Sequence, residues 1–164
     1  MSPSQLRYVL VDNGLGAGVL NFVLNAGIAW AMFFRQPIVP LWGRTGVAAD
    51  TIATSFILPF VTCVIVTRLT ARHVRAGRIA PLDRQGEPLS ILDRVPERTL
   101  PRAIVFAFAS LVLLGSATVA VLMQLGVEGM PFRQFVLFKA GFAVADGALV
   151  PPLLAYLALA RSKP

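Results

Sequence analysis

The stretch from Phe135 to Ala160 reads FVLFKAGFAVADGALVPPLLAYLALA. It exceeds the roughly 20 apolar residues that carry a helix across a bilayer, so it predicts a transmembrane span. Two features make that span costly. Asp146 puts a carboxylate near mid-membrane, at a cost of about 2.5–3.5 kcal/mol or more. Pro151 and Pro152 remove backbone donors and leave the carbonyls of Gly147 and Ala148 without helical partners. A segment carrying both needs protein, water or an ion beside it. Asp146, followed at once by Gly147, is therefore the first candidate functional position.

The rest of the chain has the same character. Of its 164 residues 56% are hydrophobic and 14% charged, with mean hydropathy +0.72, well above a soluble domain in apolar content. Four spans are expected in a single membrane domain, at about 13–34, 46–67, 103–127 and 135–160. The fold class that follows is an all-α integral membrane protein built as two tandem helical hairpins. A cleaved signal peptide is the competing account of the first span, with Ala29-Trp30-Ala31 as its small-residue site. Asp12 before the apolar core, the asparagines inside it and apolar continuation through Phe34 argue against it.

The net charge of +7 does not indicate nucleic acid, because the arginines lie between apolar spans and no soluble scaffold presents a basic face. Positive charge in such places sets topology. Arg7, the connecting segment 68–102, Arg161 and Lys163 fall on one side of a four-span arrangement; Arg35, Arg44, Arg133 and Lys139 fall on the other. The richer side is cytoplasmic by the positive-inside rule, so both termini are expected in the cytoplasm of a bacterial-type inner membrane. The connecting segment holds eight arginines against Asp83, Glu87, Asp93 and Glu97. Its prolines Pro81, Pro88, Pro96 and Pro101 exclude one continuous helix, and Ser90 to Asp93 could cap a short interfacial one.

On the first span Gly14, Gly18, Asn21, Asn25 and Ala29 recur at steps of three and four and share one helix face. Small residues let helices approach, and asparagines bond across them where no water competes. Helix packing is the plainer account of this stripe; a polar lining is the alternative. In the second span Pro59 frees the carbonyl of Ser55, and Asp50 suits a helix start, where the dipole favours a carboxylate. Trp42 has the place of an interfacial anchor.

The two halves echo each other. After Pro37 come Arg44, Gly46, Asp50 and Pro59; after Pro131 come Lys139, Gly141, Asp146 and Pro151. Two hairpins of equal orientation form a parallel repeat about the membrane normal, and matched helix breaks in two halves point to a midplane site. The candidate site is thus Asp146 with Asn21, Asn25, Asp50 and Lys139, and the candidate breaks are Pro59, Gly147, Pro151 and Pro152. Asn21 and Asn25 are the expected partners of Asp146. Lys139, about 10 Å along the helix from Asp146 at the usual rise, is expected to snorkel to the outer interface.

No enzyme signature is present. His73 lies in the polar segment away from any nucleophile, and Gly14, Gly16 and Gly18 do not follow a strand as a nucleotide loop requires. One cysteine, Cys63, and one histidine cannot make the usual nitrogen-and-sulfur metal site, so no metal and no cofactor is expected. Beyond the lipid bilayer, the expected partner is a second copy of the chain or another membrane protein. Two functions fit: a permease-like transporter of a small solute or ion working as an oligomer, or a non-catalytic accessory or assembly subunit of a larger complex.

Overall fold

The computed structural model describes residues 1–82 and 94–162; the Ser90–Asp93 cap and the acids Asp83 and Glu87 lie outside them. Four helices are long and apolar enough to cross a membrane: α1 (Pro3–Phe33), α2 (Val47–Arg75), α3 (Thr99–Gln124) and α4 (Phe132–Arg161). Each begins or ends several residues beyond its apolar core, because polar residues extend a helix once the core has nucleated it. At α1 that extension is capped: the Ser2 side chain accepts from Gln5 N–H while the Gln5 side chain accepts from Ser2 N–H. The connection 68–102 is correspondingly shorter than expected, since α2 continues to Arg75 and α3 starts at Thr99. Pro101 falls in the first turn of α3, where no helical donor is lost.

The prolines do not break their helices. Pro59 lies inside a continuous α2, and Pro151 and Pro152 inside a continuous α4, contrary to the expected interruptions. Each removes one ladder bond while the packed neighbours hold the helix in place. The irregularities fall instead in α1 and α3. Tyr8–Leu15 and Leu111–Ser116 are wound as π-helix, and each has a side chain bonded back five residues, Asn13 Nδ2 to the Tyr8 carbonyl and Ser116 Oγ to the Leu111 carbonyl. Such turns are rare and concentrate at functional sites.

α4 is the central helix. Of its most apolar window 56% is buried, against 22% in each of the others, whose remaining faces carry exposed Leu, Val, Ile and Phe suited to lipid. The main packing runs between halves: α1 lies on α4, α3 on α2, and α2 on α4. The links between α1 and α2 and between α3 and α4 each contribute a short strand, β1 (Ile38–Pro40) and β2 (Gly129–Pro131), paired antiparallel with Val39 opposite Met130. The sequence concealed them because proline lacks a ladder donor. Bonds from Leu41 N–H to Glu128 O and from Phe132 N–H to Pro37 O continue the ladder past the prolines.

The buried apolar residues form two clusters, one toward each end. One joins Tyr8, Val9, Cys63, Val66, Ala103, Phe106, Val150, Leu154 and Leu157 at the arginine-rich end. The other joins Ala29, Phe33, Val39, Val47, Val119, Leu122 and Phe135 beside the strands. Between them the buried residues on every helix are small or polar: Gly18, Asn21 and Asn25 on α1, Ser55 on α2, Ser110 and Gly115 on α3, Ala143, Asp146 and Gly147 on α4.

Candidate functional site

In this middle layer the helices come close because side chains are absent where they cross. A Cβ on Gly147 would stand 3.1 Å from Gly18 Cα and 2.8 Å from Asn21 Nδ2. A Cβ on Gly115 would stand 2.3 Å from Ser55 Oγ. The stripe on α1 therefore does what small residues do in membranes, letting α1 seat on α4. Asn21 Nδ2 approaches the Ala143 carbonyl of α4 at 3.5 Å, and Asn25 Nδ2 donates to Asn21 O at 3.0 Å.

Asp146 is wholly buried in this layer. Its Oδ1 accepts from Ser110 Oγ at 2.9 Å, and its Oδ2 has no partner among the described residues. The expected partners, Asn21 and Asn25, spend their amides on backbone carbonyls, so the asparagine pairing gives way to a serine on α3. Ser110 is one of three hydroxyl residues in the apolar part of α3, with Ser116 and Thr118, and nothing in its own neighbourhood marks it. A half-satisfied carboxylate in an apolar surround is costly. It can accept one more donor, hold a proton, or share a small cation with nearby carbonyl and hydroxyl oxygens.

Lys139 does not snorkel. It is 4% exposed and makes an ion pair and hydrogen bond to Asp50 on α2, whose side chain is 11% exposed. Asp50 sits in the first turn of α2 as expected, and the pair joins α2 to α4 on the strand side of Asp146. The reason is geometric: the packing of α2 on α4 brings the carboxylate within reach, and a paired ammonium is cheaper than an exposed one pulled past apolar residues. Pro59 and Pro151 are buried in the α2 and α4 interior, and Pro152 Cγ comes within 3.2 Å of the Cβ position of Gly14.

Toward the arginine-rich end a second polar group is built around Tyr8. Its hydroxyl lies 3.1 Å from Thr70 Oγ1 and 3.2 Å from His73 Nδ1, tying α1 to α2. Gln5 Nε2 donates to the carbonyls of Ala80 and Pro81 at 3.0 and 3.1 Å, fastening the start of α1 to the chain beyond α2. Arg102 is also buried there and donates to Thr67 Oγ1 at 3.1 Å. Among the described residues no group of three His, Cys, Asp or Glu could hold a metal ion.

Four apolar helices with their polar groups turned inward define a small polytopic, multi-pass membrane protein in contact with the lipid bilayer. No family model, curated protein or solved structure matches the chain.

Proposed function

We propose that the protein is a permease-like transporter of a proton or small cation, working as an oligomer in a bacterial-type inner membrane. The observation that carries this reading is the Asp146 carboxylate, wholly buried at mid-span with one oxygen bonded to Ser110 and the other without a partner. Intramembrane acids are functional by default because they are costly to retain. Asp146 also lies between two apolar clusters, the arrangement that a central site closed to both sides requires. The Lys139–Asp50 pair would belong to the outer closure and the Tyr8–Thr70–His73 group to the inner one. The arginine-rich end is cytoplasmic in this scheme, with both termini inside.

A parallel internal repeat underlies the proposal. Exchanging α1 with α3 and α2 with α4 preserves the packing: α1 on α4 becomes α3 on α2, and α2 on α4 maps onto itself. The same exchange matches the Gly18–Gly147 crossing with the Gly115–Ser55 crossing. It pairs the two helices that each carry a π-wound turn, and the two proline-bearing helices with each other. The antiparallel β1–β2 pair, centred on Val39 and Met130, is what a two-fold axis along the membrane normal would produce. Site and axis together are the pattern of a transporter built from repeats.

The test is flux in proteoliposomes carrying an internal pH dye, with a potassium–valinomycin potential to drive entry. Wild type should acidify the lumen or, with sodium or lithium gradients, carry the cation. Asp146→Asn should abolish the flux and Ser110→Ala should slow it. Wild-type liposomes no leakier than empty ones under every gradient, or full flux in Asp146→Asn, would sink the proposal. The rival, an accessory subunit, predicts no flux and a defined assembly only when another chain is co-expressed.

A further inference from the structure

We propose that the cleft at the arginine-rich end of α2, α3 and α4 binds a phosphate group, carried by an anionic phospholipid or by a soluble phosphate compound. The cleft has a volume of about 620 Å³. Thr67 of α2, Glu97, Thr99 and Arg102 of the α3 approach, and Arg161 and Ser162 at the end of α4 line it. Arg102 is 3% exposed. Its Nη2 donates to Thr67 Oγ1 at 3.1 Å, and its buried Nε has no partner among the described residues. No ion pair to it is formed by any described carboxylate. A guanidinium that only snorkelled would reach water; this one is held inside the cleft without a counter-ion, which is expensive unless an anion joins it.

Two further features favour phosphate. The first turn of α3 opens on the same cleft at Thr99, and its N-cap residue, Arg98, supplies no side-chain cap, so backbone donors and the positive end of a long helix face the ligand space. Arg161 donates to the carbonyls of Val95 and Pro96 at 2.7 and 2.9 Å, which fixes its charge at the rim. Glu97, exposed and next in the chain to Pro96, opposes an anion and sets a ceiling on affinity. Planar guanidinium forks suit phosphate oxygens. Arg102 is about one helical turn from the end of a spanning helix, the depth at which lipid headgroups lie.

The experiment uses the purified full chain in neutral detergent at fixed ionic strength. Thermal unfolding and binding isotherms are followed with dioctanoyl-phosphatidylglycerol, with inorganic phosphate, and with dioctanoylglycerol as the phosphate-free control. Saturable stabilisation by phosphatidylglycerol and not by the control is expected, weakened about tenfold or more in Arg102→Gln, less in Arg102→Lys, and strengthened several-fold in Glu97→Gln. Stabilisation by inorganic phosphate alone would assign the soluble source; stabilisation by the lipid alone would assign the headgroup. If Arg102→Gln fails to fold, Glu97→Gln decides. No response to either probe in wild type, or an unchanged affinity in Glu97→Gln and any folded Arg102 variant, overturns the proposal.

Discussion

Replacing Lys139 by methionine tests the buried ion pair directly. The substitution keeps the length and apolar stem of the side chain and removes the ammonium, leaving the Asp50 carboxylate, 11% exposed, without its only side-chain partner among the described residues. Breaking a buried pair from one side costs about 3–5 kcal/mol, because the surviving charge stays desolvated. Asp50 retains its place in the first turn of α2, where the helix dipole returns about 0.3–1 kcal/mol to a carboxylate. Lys139→Met should therefore fall near the lower end, about 3 kcal/mol. Asp50→Leu loses the dipole term as well and strands a lysine that is 4% exposed, so it should cost more. The double variant should lie closer to wild type than either single one, since two apolar side chains then face each other. Reversible unfolding in mixed micelles titrated with dodecyl sulfate gives all three values and the coupling between them. If both single variants lose less than about 1 kcal/mol and their effects simply add, the pair behaves as a solvent-exposed one. Lys139 would then reach the outer interface, and the account of how α2 is locked to α4 would be wrong.

Three further outcomes follow from particular contacts. Gly115→Ala puts a Cβ 2.3 Å from Ser55 Oγ and 2.9 Å from Ser55 Cβ, and should destabilise the fold by about 1–3 kcal/mol, with partial recovery when combined with Ser55→Gly; the same micelle titration reads both. Tyr8→Phe removes the hydroxyl shared with Thr70 and His73 and should cost about 1 kcal/mol, visible as earlier proteolysis of the α1 terminus. Asp146→Leu should unfold at a dodecyl sulfate concentration equal to or above wild type, because the unpartnered Oδ2 and its desolvation disappear together. A large loss in Asp146→Leu with full stability in Asp146→Asn would make the residue a packing element.

Much of the fold was legible in the sequence, and the legible part shares one cause. Lipid leaves a spanning helix few ways to satisfy its backbone, so apolar length alone located the four spans. The Gly and Asn stripe of α1 marked its buried face for the same kind of reason, since only one face of that helix can tolerate small and polar groups. Partner assignments were not legible. Asp146 bonds to Ser110 across helices separated in sequence by the whole β2 turn, and a lone serine in an apolar span carries no mark distinguishing it from Ser116, which bonds its own helix. The pairing of Lys139 with Asp50 is set by the packing of α2 on α4, which spacing along a single helix does not reveal. Proline misled twice, once by suggesting breaks that packed neighbours absorb and once by hiding two short strands. The π-wound turns left no pattern, because Asn13 and Ser116, whose side chains bond back five residues there, are ordinary polar residues in apolar spans.

The position of Asp146 gains its meaning from what lies on either side of it. A buried acid in the middle of a uniform apolar core would be a local defect, repaired by a single hydrogen bond. Here the core itself is divided: the apolar side chains gather at the two ends, and the middle of each helix carries glycine, serine, asparagine or alanine on its buried face. In this layer the helices meet closely through small residues, with the Phe56–Phe108 edge-to-face pair joining α2 to α3 beside Ser55 and Ser110. The unpartnered Asp146 oxygen lies within this close-packed polar layer. The proposed transport reading requires this same distribution, with a site that can be hydrated from one end while the other end stays closed. A purely structural acid would be better placed inside one of the apolar clusters, where its hydrogen bond would fix more contacts.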